Sequence, residues 1–202
     1  MRVALGQFAV AKVWQENADT CVRLISEAVA GGADLLVLPE GILARDITDP
    51  ALVRKSAQPL DGPFMAQLLA ASRGQSLTIM MCVHVPTDGE RVHNNLVTLR
   101  DGAIVSQYHK LHLYDAFTGR ESTNVVPGDA VPDLIDVDGL KLGPMTCYDL
   151  RFPELARRLA VDGADVLVLP AAWVKGPGKE AHWDVLVTAR ALDNTCYVVA
   201  VT

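Results

Sequence analysis

The sequence predicts an α/β protein in which buried strands alternate with covering helices. Three observations carry this prediction. Apolar runs of strand length follow segments whose apolar residues recur at helical spacing, with glycine at the junctions. The strands read as continuous apolar runs, the pattern of sheets covered on both faces. The stretch GGADLLVLPEG at 31–41 is echoed by DGADVLVLPAA at 162–172, which suggests two similar halves, although any βα fold reuses this grammar.

Residues 3–10 read as a first strand. Asn17 to Ala30 reads as a helix, with Ala18, Cys21, Val22, Ile25, Ala28 and Val29 on one face and Gly31-Gly32 as its stop. An apolar strand over 33–38 then leads to Pro39 and Glu40. Asp61-Gly62-Pro63 places proline in the first turn of a helix that runs to Arg73 and stops at Gly74. Leu77–Val85 is the next strand. Asp101-Gly102 joins 95–99 to 103–108, and Asp138-Gly139 joins 134–137 to 140–142, each an Asp-Gly hairpin turn between β-prone runs. Met145 to Cys147 leads into a helix with Phe152, Leu155, Ala156, Leu159 and Ala160 on its apolar face and Gly163 at its end. A strand over 164–170, a helix carrying Trp183, Leu186, Val187, Arg190 and Ala191, and a strand over 196–201 complete the chain. No Gly/Ser linker or charge run divides it, so 1–202 reads as a single domain.

Composition narrows the function. The chain has 202 residues, 50% hydrophobic and 21% charged, which excludes a disordered chain. Lys+Arg number 18 against Asp+Glu 24, a formal charge of -6 with no basic stripe, so nucleic acid and anionic membrane are not expected partners. No apolar run reaches transmembrane length, and MRVALGQFAV lacks the apolar core and cleavage site of a signal peptide. A cytoplasmic location is expected. The four cysteines, 21, 82, 147 and 196, include no C-x-x-C pair, and neither a structural zinc nor any other metal or cofactor is expected. Dinucleotide and phosphate-loop fingerprints are missing.

Polar residues at the carboxyl ends of buried strands are the first candidates for chemistry. Glu40 is one, with a solvated loop carboxylate as its ordinary alternative. Cys147 is another: it ends a strand and precedes a helix with Pro153 near its start, where the dipole would lend it thiolate character. Core packing is the ordinary fate of a cysteine, and it is the reading adopted for Cys21, Cys82 and Cys196. Lys110 lies in Tyr108-His109-Lys110-Leu111-His112. His109 and His112 have a metal-compatible spacing only if helical, and His109, His112 or His182 would be the base of a Cys-His dyad.

Three segments taken together resemble the nitrilase superfamily of carbon–nitrogen hydrolases: Leu38-Pro39-Glu40-Gly41, His109-Lys110-Leu111-His112-Leu113-Tyr114-Asp115, and Thr146-Cys147-Tyr148-Asp149-Leu150-Arg151-Phe152-Pro153-Glu154. Within it the chain is most similar to the Nit branch, which contains ω-amidase and the amidase acting on deaminated glutathione. The resemblance implies a four-layer α-β-β-α sandwich and a homodimer or higher homo-oligomer with helices near 153–162 and 181–192 at the interface. It also implies that strands which relatives place after 196–201 are absent here. The family's Glu, Lys and Cys fall on Glu40, Lys110 and Cys147, and a second, assisting glutamate falls on Glu121.

The implied reaction is hydrolysis of a small carboxylic acid amide to acid and ammonia through a cysteine thioester. Glu40 is the base, with its pKa expected to rise towards neutrality through burial. Lys110 and the Tyr148 backbone N–H hold the oxyanion. Nitrile or N-carbamoyl hydrolysis on the same residues is the enzymatic alternative, and a non-catalytic binding relative is the other. For substrate contacts the candidates are Tyr114, Tyr148, Arg151 and Trp173. Arg151 is expected to brace its helix through an ion pair, with a substrate carboxylate as the alternative. Trp173 reads equally as pocket wall or core.

Overall fold

The computed structural model describes residues 1–117 and 119–202. The elements in order are β1 (Val3–Leu5), α1 (Trp14–Ala30), β2 (Leu35–Val37), α2 (Leu52–Lys55), α3 (Pro63–Ser72), β3 (Thr78–Pro86), β4 (Val92–Arg100), β5 (Ala103–His109), β6 (Val125–Val126), β7 (Ile135–Val137), β8 (Leu140–Pro144), α4 (Pro153–Val161), β9 (Val166–Pro170), α5 (Lys179–Asn194) and β10 (Tyr197–Val201). Short 3₁₀ turns occupy Glu121–Thr123 and Cys147–Arg151.

Among the described residues the strands form two sheets. A six-stranded sheet runs β1-β2-β3-β4-β5, with β6 beside β4, and a four-stranded sheet runs β10-β9-β8-β7. Strand periodicity decides what each face meets. On β2 and β3, Leu35, Val37, Met80 and Cys82 point to the second sheet and pack with Leu142, Val166 and Val168. The alternate residues, Leu36, Ile79 and Met81, pack on Ile25 of α1 and on Phe64 and Leu68 of α3. Leu155, Ala156 and Leu159 of α4 join the cluster on the second sheet, with Trp183, Leu186 and Val187 of α5 against it. The order is helix, sheet, sheet, helix, as the resemblance implied.

The sequence echo is an echo of structure. β1-α1-β2 and β8-α4-β9 are both parallel crossovers. Each helix ends with a left-handed glycine, Gly32 at φ +66° and Gly163 at φ +107°. Ala33 N–H returns to Ala28 C=O at 3.0 Å, and Ala164 N–H to Leu159 C=O at 2.9 Å. In each copy the following aspartate accepts a backbone N–H from the neighbouring segment, Asp34 from Arg2 and Asp165 from Lys141.

Two sequence expectations need correction. The first strand is shorter than 3–10, and its helix begins at Trp14 rather than Asn17. The cause is the buried Asn17 amide, which pairs with both backbone groups of Ala11 at 2.8 and 3.0 Å and so satisfies a chain that has left the sheet. Phe152 is the N-cap of α4 and not part of its apolar face, and the 3₁₀ turn separates Cys147 from that helix. Both Asp-Gly hairpins form as expected, with Asp101 at φ +49° and Asp138 at φ +53°.

Candidate functional site

The carboxyl ends of strands from both sheets open into one cavity of about 520 Å³. Glu40 enters it just beyond β2. Its backbone N–H bonds Ala171 C=O at 3.1 Å, and its Oε2 accepts the Ala172 N–H at 2.9 Å. Both partners follow β9, at the matching end of the second echo copy. Lys110 enters just beyond β5. Its N–H is held by Asn94 C=O at 2.9 Å and its C=O by Gly128 N–H at 2.8 Å. Gly128 lies so close that a Cβ would fall 2.2 Å from His109 O, so only glycine fits there.

Lys110 and Glu40 are both buried. The Lys110 ammonium lies 2.9 Å from Glu40 Oε1 and 2.9 Å from Glu121 Oε2. Glu121 is fixed in turn by the Tyr114 N–H at 2.6 Å, and Asn94 Nδ2 bridges to Glu40 at 2.7 Å and Glu121 at 3.3 Å. With the Arg45 guanidinium 4.0 Å from Glu40 Oε2, the two carboxylates and two cations make a largely buried charge cluster, tolerable because it is densely hydrogen-bonded.

Cys147 follows β8 at φ +45°, a left-handed conformation that costs a non-glycine residue energy and turns its side chain towards the Glu40 carboxylate. Asp149 holds this turn. It is fully buried and accepts Thr146 N–H at 2.8 Å, Tyr108 O–H at 2.8 Å, and His112 N–H and Nδ1 at 3.0 and 2.7 Å.

The electrostatics reverse two expectations. Burial does push the Glu40 carboxyl up, but Lys110, Arg45 and the bonds Glu40 accepts outweigh it and hold the pKa at about 2. Glu40 therefore rests ionised. Burial first, and then the Glu40 charge, push the Cys147 thiol well above its ordinary value, against the pull of Lys110. The resting group is a thiol. A neighbouring carboxylate and a desolvated position outweigh the turn's dipole. Burial pushes Lys110 down, but Glu121 and Glu40 hold it well above the usual lysine value.

The histidines do not form a dyad with Cys147. His109 stacks on His93 at 4.0 Å, His112 is committed to Asp149 and stacks on Phe152 at 3.7 Å, and His182 is exposed beside Arg151. Arg151 makes no ion pair among the described residues, contrary to expectation. Its guanidinium lies 5.3 Å from the Trp173 ring centroid and 5.8 Å from that of Tyr148, and its Nε is buried without a partner. Trp173 is both wall and packing, tilted against Trp183 at 5.3 Å. Tyr114 and Tyr148 line the cavity edge to face at 5.2 Å.

Sequence reasoning missed Asn94, His84, Arg45 and Lys179, which also line the cavity. The first two left a signal, polar side chains inside otherwise apolar strand runs, and they face each other across β3 and β4. His84 is buried, its Nδ1 has no partner, and burial together with Arg45 and Lys110 lowers its pKa to about 3 against the pull of Glu40. Arg45 and Lys179 sit outside the strands and left none.

Residues 2–202 match the family model described as carbon-nitrogen hydrolase. The chain is 52% identical over 200 residues to the deaminated glutathione amidase of Escherichia coli O157:H7, covering 99% of this chain and 76% of that protein. It is 38% identical over 201 residues to the deaminated glutathione amidase of Rattus norvegicus, covering 92% of this chain and 60% of that protein. Its fold superposes on the C. elegans NitFhit protein with a TM-score of 0.89 at 26% identity, covering 99% of this chain and 51% of that one.

Proposed function

The chain belongs to the carbon–nitrogen hydrolase family and acts on amides, and from that premise we propose that Glu40, Lys110 and Cys147 hydrolyse an amide of a small carboxylic acid, of the class to which deaminated glutathione belongs. The observation that carries the reading is one buried ammonium shared by two carboxylates beside a strained, protonated cysteine. Glu40 takes the thiol proton as sulfur attacks the amide carbonyl carbon. Because the thiol is the weaker acid at rest, transfer and attack proceed together, and no free thiolate accumulates.

The oxyanion is held by the Lys110 ammonium and the Tyr148 N–H. Glu40 passes the proton to the departing nitrogen, the C–N bond breaks, and ammonia or an amine leaves behind a Cys147 thioester. Water, deprotonated by Glu40, attacks the thioester. The acid leaves and the thiol is restored. Glu121 keeps Lys110 charged and in place. Arg151, with no carboxylate of its own among the described residues, takes a substrate carboxylate, while Tyr114, Tyr148 and Trp173 form the walls around it.

The functional unit is a homodimer built on α4 and α5, on or beside which Val161, Val185, Leu192 and Tyr197 are 66–80% exposed. The enzyme works in the cytoplasm as a single domain. No helix among the described residues is long and apolar enough to cross a membrane.

The test is product release from a panel of amides that includes α-ketoglutaramate and deaminated glutathione, with Cys147→Ala alongside. Turnover by the wild type that vanishes in the variant supports the reading. Turnover that persists in Cys147→Ala rejects it.

A further inference from the structure

The cavity is lined by Arg45, Lys110, Arg120, Arg151 and Lys179 but only three carboxylates, in a chain whose net charge is -6. Lys110 is absorbed by Glu40 and Glu121, Arg45 stands 4.0 Å from Glu40 Oε2, and one carboxylate, Asp46, is taken by Lys12 at 2.6 Å. Two of the remaining cations share a single bracket. The Trp173 indole N–H donates to the Lys179 carbonyl at 2.8 Å, while its ring carries the Arg151 guanidinium. The Lys179 ammonium is held by aromatic groups alone. It donates to Tyr114 Oη at 3.1 Å, and it lies 4.0 Å from the Phe117 ring centroid and 5.2 Å from that of Tyr114. Neither cation has a carboxylate within 4 Å among the described residues, and Phe117 is 65% exposed at φ +58°.

Aromatic faces fix an ammonium in position without neutralising it, and a cleft lined by unneutralised charge concentrates ligands of the opposite sign. We infer that Lys179 forms an outer anion subsite for a second carboxylate of the substrate, so that the cavity selects amides bearing two separated carboxylates. Resting on the amidase reading above, this assigns Arg151 to one carboxylate and Lys179 to the other, with Trp173 setting the distance between them. A short monocarboxylate amide fills only the first. Deaminated glutathione carries a free carboxylate on its glycine end as well as on its oxo-acid end and fits this class.

The test compares deaminated glutathione with the analogue whose glycine carboxylate is replaced by carboxamide. In the wild type, kcat/KM is expected to favour the free carboxylate by about tenfold, the size of one charge-assisted contact at a partly exposed site. In Lys179→Met that ratio falls to near one, in Lys179→Arg it is largely kept, and in the wild type it shrinks as salt is raised. A wild-type ratio near one, or a ratio unchanged in a folded Lys179→Met, overturns the subsite while leaving the amidase reading intact. A wild type that hydrolyses neither compound nor any short amide overturns the amidase reading, and the subsite with it.

Discussion

The backbone N–H of Ala172 donates to Oε2 of Glu40 across 2.9 Å, joining the end of one echo copy to the end of the other. The carboxylate assigned as base is thus fixed by the opposite sheet on one oxygen and by Lys110 and Asn94 on the other. Glu40→Gln keeps the shape and removes the proton acceptor. A folded protein is expected, with kcat lower by about two to four orders of magnitude. Circular dichroism and steady-state rates check this, and a variant retaining a tenth of wild-type kcat rejects Glu40 as the base.

Removing Lys110 affects stability as well as rate. Lys110→Met leaves two carboxylates facing each other in a buried site, at a cost of about 3–5 kcal/mol. For a chain of this size the Tm falls by roughly 10 °C, and kcat falls by about two to three orders of magnitude with loss of an oxyanion donor. Adding Glu121→Gln should restore part of the Tm and none of the rate. Calorimetry of the single and double variants separates the two effects.

These two roles show what was legible in the sequence. Glu40, Lys110 and Cys147 stand out because each follows a strand, where a doubly covered sheet must open to solvent. Asn94 and His84 were missed because they lie within strands, where polar residues are normally read as exposed-face positions. The direction of the Glu40 shift was misjudged for a related reason. Burial is visible as flanking apolar sequence, whereas the ammonium that outweighs it comes from 70 residues away.

Stability should fall as the pH is lowered, in two stages. His84 has an ordinary value of 6.5 and is held at about 3, so between those values the unfolded chain binds the proton that the folded one refuses, and stability rises with pH there. Glu40, ordinarily near 4.5 and held at about 2, adds its loss only as the pH falls below the first of these values. The window from 6.5 to 4.5 therefore belongs to His84, with a contribution of the same sign from His109. Urea midpoints measured from pH 7 to pH 4.5 should decline less steeply in His84→Gln. An unchanged slope contradicts the assignment.

Asp149 holds the turn of Cys147, the proposed nucleophile, and does not line the cavity. Asparagine cannot accept from Thr146, Tyr108 and both His112 donors at once, because one of its two polar atoms is itself a donor. Asp149→Asn should lower kcat by more than tenfold with little change in KM, and slow iodoacetamide labelling of Cys147. A rise in KM alone contradicts a positioning role.

The exposed apolar residues of α4, α5 and β10 make a separate prediction. Leu192→Asp puts a charge in the proposed dimer interface while leaving a side chain that is 75% exposed in the protomer free to reach water. Analytical ultracentrifugation should show a dimer for the wild type and a monomer for the variant, with the Tm of the variant now independent of concentration. A monomeric wild type rejects the interface.

Glu40 stands at the end of a strand in one sheet, while Cys147 and Ala172 stand at the ends of strands in the other. On the proposed mechanism the chemical step works as a caliper laid across the molecule: the gap between the proposed base and nucleophile is the lateral register of two sheets joined by side-chain packing. If the proposed reaction holds, slippage of a few tenths of an ångström between β3 and β9, tens of residues from any reacting atom in the chain, is expected to show as lost turnover before it shows as lost fold.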